Sequence, residues 1–219
     1  MLKNILLFLL ACGIGIGIYW FYTQSTQKTQ PPITQILKEN PTIPISYAVK
    51  NPPSDTLMGT MSDLTGEIKL EARDATEPAK LTNKQPVMQG ERIVTAEKSS
   101  VRITFGADTT ILLDKNTDVS FTQTLPISIV ITQNNGTVTY SQDTDRFPLS
   151  VRVRNLLVRL QSGNVAITLE DGDPRISVSV IDGSAKTAYN NAQFESQVNT
   201  LSKGDVMIFD SDARDATVD

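Results

Sequence analysis

After residue 59 the chain alternates. Val101-Arg102-Ile103-Thr104-Phe105, Leu149-Ser150-Val151-Arg152-Val153, Val165-Ala166-Ile167-Thr168-Leu169 and Ile176-Ser177-Val178-Ser179-Val180 each place apolar residues at every second position. Successive side chains of a strand point to opposite faces, so each stretch reads as a strand with one buried face. Residues 127–131 form a shorter, nearly continuous apolar run. Val, Ile and Thr dominate these stretches, and β-branched residues fit a pleated surface. Asn135-Gly136, Asp171-Gly172 and Asp182-Gly183 read as turns between strands. Only residues 188–198 offer any helical period, and a poor one. Gly66, Gly90, Gly136, Gly163, Gly183 and Gly204 each stand just before a strand, mostly 20–27 residues apart. That spacing suits stacked hairpins, either as solenoid rungs or wrapped into a jelly roll. The expected fold is therefore all-β, with those two architectures left open.

The N-terminus has a different character. Residues 5–22, ILLFLLACGIGIGIYWFY, form an uncharged run of 18 residues, at the lower edge of what spans a bilayer as a helix. Tyr19, Trp20 and Tyr22 close it, where amphipathic rings favour the headgroup region. Lys3 lies on the short N-terminal side, which places residues 1–4 in the cytoplasm and the rest outside; Lys28 weakens that bias without reversing it. A cleaved signal peptide would end in small residues followed by polar sequence, and this run ends in IYWFY. An uncleaved single-pass anchor is expected. The alternative is a lipoprotein processed before Cys12, through Leu9-Leu10-Ala11-Cys12, although Leu10 and the apolar residues that follow fit it poorly. Gly13 and Gly17 form a GxxxG spacing, a weak signal for helix pairing.

Residues 23–58 are rich in Thr, Gln and Pro, and Pro31-Pro32 and Pro52-Pro53 oppose regular structure. They are expected to act as a tether, spanning about 30–35 Å as a flexible coil. The expected layout is a cytoplasmic stub (1–4), an anchor (5–22), the tether (23–58), a β domain (59–210) and a frayed acidic tail (211–219).

Composition removes most enzyme chemistry. There is no histidine, which excludes the Ser-His-Asp triad, the Cys-His dyad and histidine-ligated zinc. Cys12 is the single cysteine, so no internal disulfide or CxxC site is possible. A net charge of −4 without a basic cluster makes nucleic acid an unsuitable partner.

Three segments carry a resemblance. Residues 81–95 end in Gly90-Glu91-Arg92-Ile93-Val94-Thr95. Ser99-Ser100-Val101-Arg102-Ile103-Thr104-Phe105 follows, and then residues 110–119 with Asn116-Thr117-Asp118-Val119. Together with Asn135-Gly136-Thr137-Val138 and Leu201-Ser202-Lys203-Gly204-Asp205-Val206, they resemble a FecR-like domain, closely over residues 60–140 and loosely over 150–210. The resemblance implies a single-pass envelope protein with an extracytoplasmic β domain. In that family such a domain relays a signal from an outer-membrane receptor to a cytoplasmic sigma factor. With only four residues before the apolar run and no mixed α/β C-terminal module, the sequence departs from that pattern, and no cytoplasmic anti-sigma domain is expected.

Carboxylates are the acid/base groups present in number: Asp108, Asp114 and Asp118; Glu170, Asp171 and Asp173; Asp210, Asp212 and Asp215. Paired carboxylates could hydrolyse a glycoside, but most of these sit where Asp bends turns. Asp171-Gly172-Asp173 and Asp210-Ser211-Asp212 carry calcium-type ligands, yet lack the glutamate of an EF-hand loop. Arg152 and Arg154 fall on one strand face near Arg159, and could grip an anionic partner. Asn135-Gly136-Thr137 is formally a glycosylation sequon. A carbohydrate platform would need exposed rings from among Phe105, Phe121, Tyr140, Phe147, Tyr189, Phe194 and Phe209. The expectation is a non-catalytic binding, scaffold or signal-relay module on the outer side of the cytoplasmic membrane, without cofactor, metal or assigned binding residue. Its partner would be an envelope protein. A carbohydrate-binding or adhesion module, or a carboxylate enzyme acting on polysaccharide, are the alternatives.

Overall fold

The computed structural model describes residues 55–144 and 147–219. The expected anchor and most of the tether lie outside the described residues. Fourteen strands and no helix make up the described part. They are β1 (Thr60–Thr65), β2 (Ile68–Glu71), β3 (Ala79–Lys80), β4 (Arg92–Thr95), β5 (Ser100–Phe105), β6 (Thr109–Leu113) and β7 (Asp118–Leu125). After these come β8 (Ser128–Gln142), β9 (Leu149–Val153), β10 (Leu156–Leu169), β11 (Arg175–Asn190), β12 (Ser196–Ser202), β13 (Val206–Asp210) and β14 (Asp215–Val218). Each alternating stretch named from the sequence lies within a strand, and the poor helical candidate 188–198 is instead the end of β11, a turn and β12.

Strands β8, β10 and β11 are 15, 14 and 16 residues long, and each changes partners half-way. The first half of β8 pairs with β7 and, in parallel, with β9; its second half pairs with β6 and β10. The first half of β10 lies between β9 and the second half of β11, and its second half lies between β8 and the first half of β11. Two wings result. One runs β1-β5-β6-β8-β10-β11-β13-β14, the other β3-β2-β4-β7-β8-β9-β10-β11-β12. Their inner faces share one apolar core in which Phe105, Phe121, Tyr140 and Phe209 are fully buried. Among the described residues the outer edges of β1, β14, β3 and β12 have no partner strand, so the described fold is a stack of bent hairpins and not a closed barrel.

The bends explain the glycines. All six recurring glycines have positive φ, but Gly136, Gly163 and Gly183 sit inside long strands and not in turns that end them. Gly163 and Gly183 are direct cross-strand partners. A Cβ on Gly163 would fall 2.2 Å from the Asp182 carbonyl oxygen, and one on Gly183 2.1 Å from that of Ser162. Two backbones therefore touch where both strands cross between wings, a contact only glycine permits. The β8 bend is held by Gln133, whose amide is buried and almost fully satisfied. Its Nε2 donates to the carbonyl oxygens of Gly136 (2.9 Å) and Ile167 (3.0 Å), and Tyr140 Oη donates to Oε1 (3.1 Å). Asn135-Gly136 and Asp182-Gly183 are thus bends within strands, and Asp171-Gly172 is the true turn.

The residues behind the FecR-like pattern lock one another. Phe121 N donates to Glu91 O, Gly90 N donates to Phe121 O, and Met88 N donates to Glu91 Oε2 at 2.8 Å. Ile93 and Val119 are cross-strand partners with no exposed surface. Thr117 N donates to Thr95 Oγ1 at 2.9 Å, and that hydroxyl donates to Asp114 O at 2.5 Å. The motif carries fold.

Both domain limits differ from expectation. Leu57 N donates to Thr124 O, and its own carbonyl accepts from Thr124 Oγ1, so the body begins before residue 59. Residues 211–219 do not fray: β14 pairs with β13, and Val206 and Asp219 exchange two backbone hydrogen bonds at 3.0 Å.

Two predictions follow the packing. Gly163→Ala combines left-handed strain of about 1–2 kcal/mol with backbone overlap, and lowers the melting temperature by at least about 4 °C. Gly172→Ala, with open space around it, costs only the strain, and equal losses in the two variants would contradict the touching-backbone account. Burial pushes the Glu91 carboxyl above its ordinary value of 4.5, against the lowering effect of the Met88 N–H. The folded chain then holds a proton that the unfolded chain has released, so this contribution is complete below pH 4.5 and lost as pH rises through the folded value. Glu91→Gln keeps the acceptor and removes the charge; urea denaturation shows it gaining on the parent between pH 4.5 and neutrality, and a pH-independent difference would refute the assignment.

Candidate functional site

The acidic groups named from the sequence separate among turns and strand ends, several of them with defined partners. Asp118 accepts from Arg92 Nε at 2.7 Å and Nη2 at 2.5 Å, with Asn134 Nδ2 at 3.1 Å and Glu71 on the guanidinium's other side. Asp108 lies in the β5–β6 turn, where its carbonyl accepts from Asp143 N. Asp210 Oδ1 accepts from the backbone of Asp212 (2.9 Å) and Ala213 (2.8 Å), bending the β13–β14 turn. Asp173 is gripped by Arg175, Nη2 to Oδ2 at 2.8 Å, and that hydrogen bonding holds its carboxyl down to about 2. Asp215 opens β14 opposite Asp210.

Three turns meet at this end. Arg154 has φ of 51°, lies just past β9, and donates from Nη1 to Asp173 O (2.7 Å) and Ser211 Oγ (3.1 Å). Asn155 Nδ2 reaches Ser211 O at 3.1 Å. Two open clefts flank the β10–β11 turn. A cleft of about 330 Å³ lies over Thr168, Glu170, Arg175 and Ile208. Another, of about 440 Å³, lies between Asp114–Asn116, Asn135–Thr137 and Glu170–Asp171. The second cleft is lined by Asp114 together with Glu170 and Asp171, which the sequence keeps far apart. The sequon's Asn135 donates to Asn116 O at 3.1 Å. Among the described residues, no three His, Cys, Asp or Glu side chains converge as a metal site.

The arginines regroup as well. Arg154 leaves the strand for the turns, so it does not share a face with Arg152 as the spacing predicts. Arg152 instead joins a surface that the sequence does not announce, the outer face of the second wing. There Arg159 on β10 stands directly opposite Lys186 on β11, and Lys186 opposite Thr200 on β12. Arg152 stands opposite Thr132 and Leu157. Elsewhere cations find acids: Arg92 with Asp118, Arg102 with Asp63, Arg175 with Asp173, Lys203 with Asp182. Arg152, Arg159 and Lys186 are exposed and have no ion pair among the described residues. Beside them Leu157, Ala188 and Val198 are consecutive cross-strand neighbours, with Leu157 42% and Val198 66% exposed. The spacing already places Arg152 near Arg159; what depends on register is Lys186, far away in sequence, which pairing alone brings opposite Arg159.

The aromatic residues offer no row. Phe105, Phe121, Tyr140 and Phe209 are buried, Phe147 and Tyr189 pack on the core, and Phe194 alone among them is exposed, beneath Arg214 at 4.8 Å.

No family model matches the chain, and no curated protein matches it significantly. The fold does have solved counterparts. Two crystal structures of a candidate anti-sigma factor from Parabacteroides distasonis are similar to it, with TM-scores of 0.50 and 0.51 and 16% and 15% identity. Each match covers 58% of this chain and 58% of the other, a little over half of either length. The body shares its fold with these proteins.

The like-charge pair yields a prediction. Opposed like charges on a sheet destabilise by a few tenths to about 1 kcal/mol, so Arg159→Glu, facing Lys186, stabilises the protein. A thermal melt shows a rise of about 2 °C; a fall would mean that the basic trio has structural support not visible in its pairing.

Proposed function

We propose that this protein is a non-catalytic binding module, anchored in the cytoplasmic membrane by residues 5–22, whose β body holds an envelope protein and relays or scaffolds a signal. The observation that carries the reading is the fold shared with a candidate anti-sigma factor over 58% of the chain. The FecR-like turns at Gly90-Glu91, Asn116-Thr117 and Gly204-Asp205 point the same way. In mechanism, the helix fixes the chain at the membrane and the tether sets its reach. A stiff sheet surface presents cations that no acid among the described residues neutralises, and such groups steer and orient an oppositely charged partner.

A carbohydrate-binding role finds less support, since Phe194 is the one exposed ring of the seven considered. A polysaccharide hydrolase finds little either, because Asp118 and Asp173 are engaged by arginines.

The reading is tested by topology. The full chain is expected in the membrane pellet after carbonate washing, and its body is digested when protease is added outside spheroplasts. Deleting residues 1–22 is expected to release it into the soluble fraction. Cys12→Ser leaves attachment unchanged if the helix is the anchor and abolishes it if a lipid is. A body protected from external protease would overturn the envelope assignment.

A further inference from the structure

The four sheet edges are not equivalent. Strand β3 is two residues long, follows Pro78 and carries Lys80. Strand β1 loses register between Ser62 and Thr65, where Asp63 has φ of 50°. Strand β14 has four residues and begins with Asp215. Short length, charge, proline and irregularity are the usual guards of an edge against another chain. Strand β12 has none of them. Its seven residues, Ser-Gln-Val-Asn-Thr-Leu-Ser, include no charge, glycine or proline, and all seven pair with β11 without a break, from Ser184↔Ser202 to Asn190↔Ser196. Leu201 is buried and seats the strand, while Ser196, Val198, Thr200 and Ser202 face outward.

This edge adjoins the basic trio. One row across the outer face reads Ser150–Arg159–Lys186–Thr200, and the next reads Arg152–Leu157–Ala188–Val198. No acid lies in either row. From residues 55 to 219 the body has 16 basic and 23 acidic residues, a net charge of −7. An acidic partner is therefore repelled by most of the body and favoured at this face.

We propose that β12 accepts an extended segment of a protein partner as an added β-strand, one that places an acidic side chain beside Thr200 and an apolar one beside Val198. Strands lie about 4.8 Å apart, so the added backbone sits about 10 Å from that of Lys186. An extended lysine and glutamate bridge that gap over the small Thr200 side chain. Two positions along, an apolar residue continues the Leu157–Ala188–Val198 row. Backbone hydrogen bonds supply affinity and the alternate side chains supply selection, as in other strand additions. A second copy of this chain is a poorer occupant: β12 paired with β12 brings no acid to Lys186 or Arg159, because the strand contains none.

This inference rests on the reading of the body as a binding module and names its surface and partner chemistry. The test uses the full-length protein in detergent and a fluorescent eight-residue peptide of alternating Thr with Val or Glu. Two control peptides replace each Glu by Lys, or the central Thr by Pro. Anisotropy is expected to show saturable binding of the acidic peptide, weakening with salt, and no binding of either control. Lys186→Glu leaves a favourable Arg159–Glu pair, so the variant folds, and it is expected to weaken binding at least tenfold. Equal binding of the proline peptide would show charge attraction without strand addition and overturn the proposal, as would no binding at all. A parent dimer that dissociates on Val198→Lys would assign the edge to a second copy instead. In-cell crosslinking separates this inference from its premise. A captured envelope protein whose crosslinks avoid β12 sinks the edge and leaves the module; no captured protein sinks both.

Discussion

The structure depends on a contact between two backbones. Where β10 and β11 cross from one wing to the other, Gly163 and Gly183 lie against each other, and neither position has room for a methyl group. Because both strands stay paired through that crossing, the wings are parts of the same ladder and not separate sheets. Side chains of both wings can then fill one core, and the outer face of the second wing is held stiff across β9, β10, β11 and β12. The surface that carries Arg159 and Lys186 is a consequence of that continuity.

The β8 bend solves the same problem by other means. A carbonyl buried at such a bend costs about 1–3 kcal/mol if it is left without a donor. Gln133 supplies both donors, to Gly136 and Ile167, and Tyr140 returns a hydroxyl to its acceptor. A glutamine buried between two β-branched stretches is thus part of the bend and not a site. Thr95 and Thr117 act likewise for the turn before β7.

Much of the fold was legible because alternation is a local property. The strands around Val101, Val151, Ile167 and Val178 are readable from spacing alone, as are positive φ angles at the recurring glycines. What was hidden is long-range. Nothing near Gly163 or Gly183 states that they face each other, so bends within strands looked like turns between them. The tail was misread for the same reason: Ala216 sits half-buried against the core opposite Phe209, a contact no local polarity measure reveals. The site was less legible still. Proximity in sequence grouped Arg152, Arg154 and Arg159, whereas register keeps Arg152 and Arg159, adds Lys186 and sends Arg154 to the turns.

The central proposal is that this body holds a protein partner in the cell envelope. In-cell crosslinking of the full-length chain, followed by mass spectrometry of what is captured, addresses it most directly. The account predicts one dominant membrane or outer-membrane signalling protein, joined to the body. Recovery of peptidoglycan or surface polysaccharide without a dominant protein would contradict it.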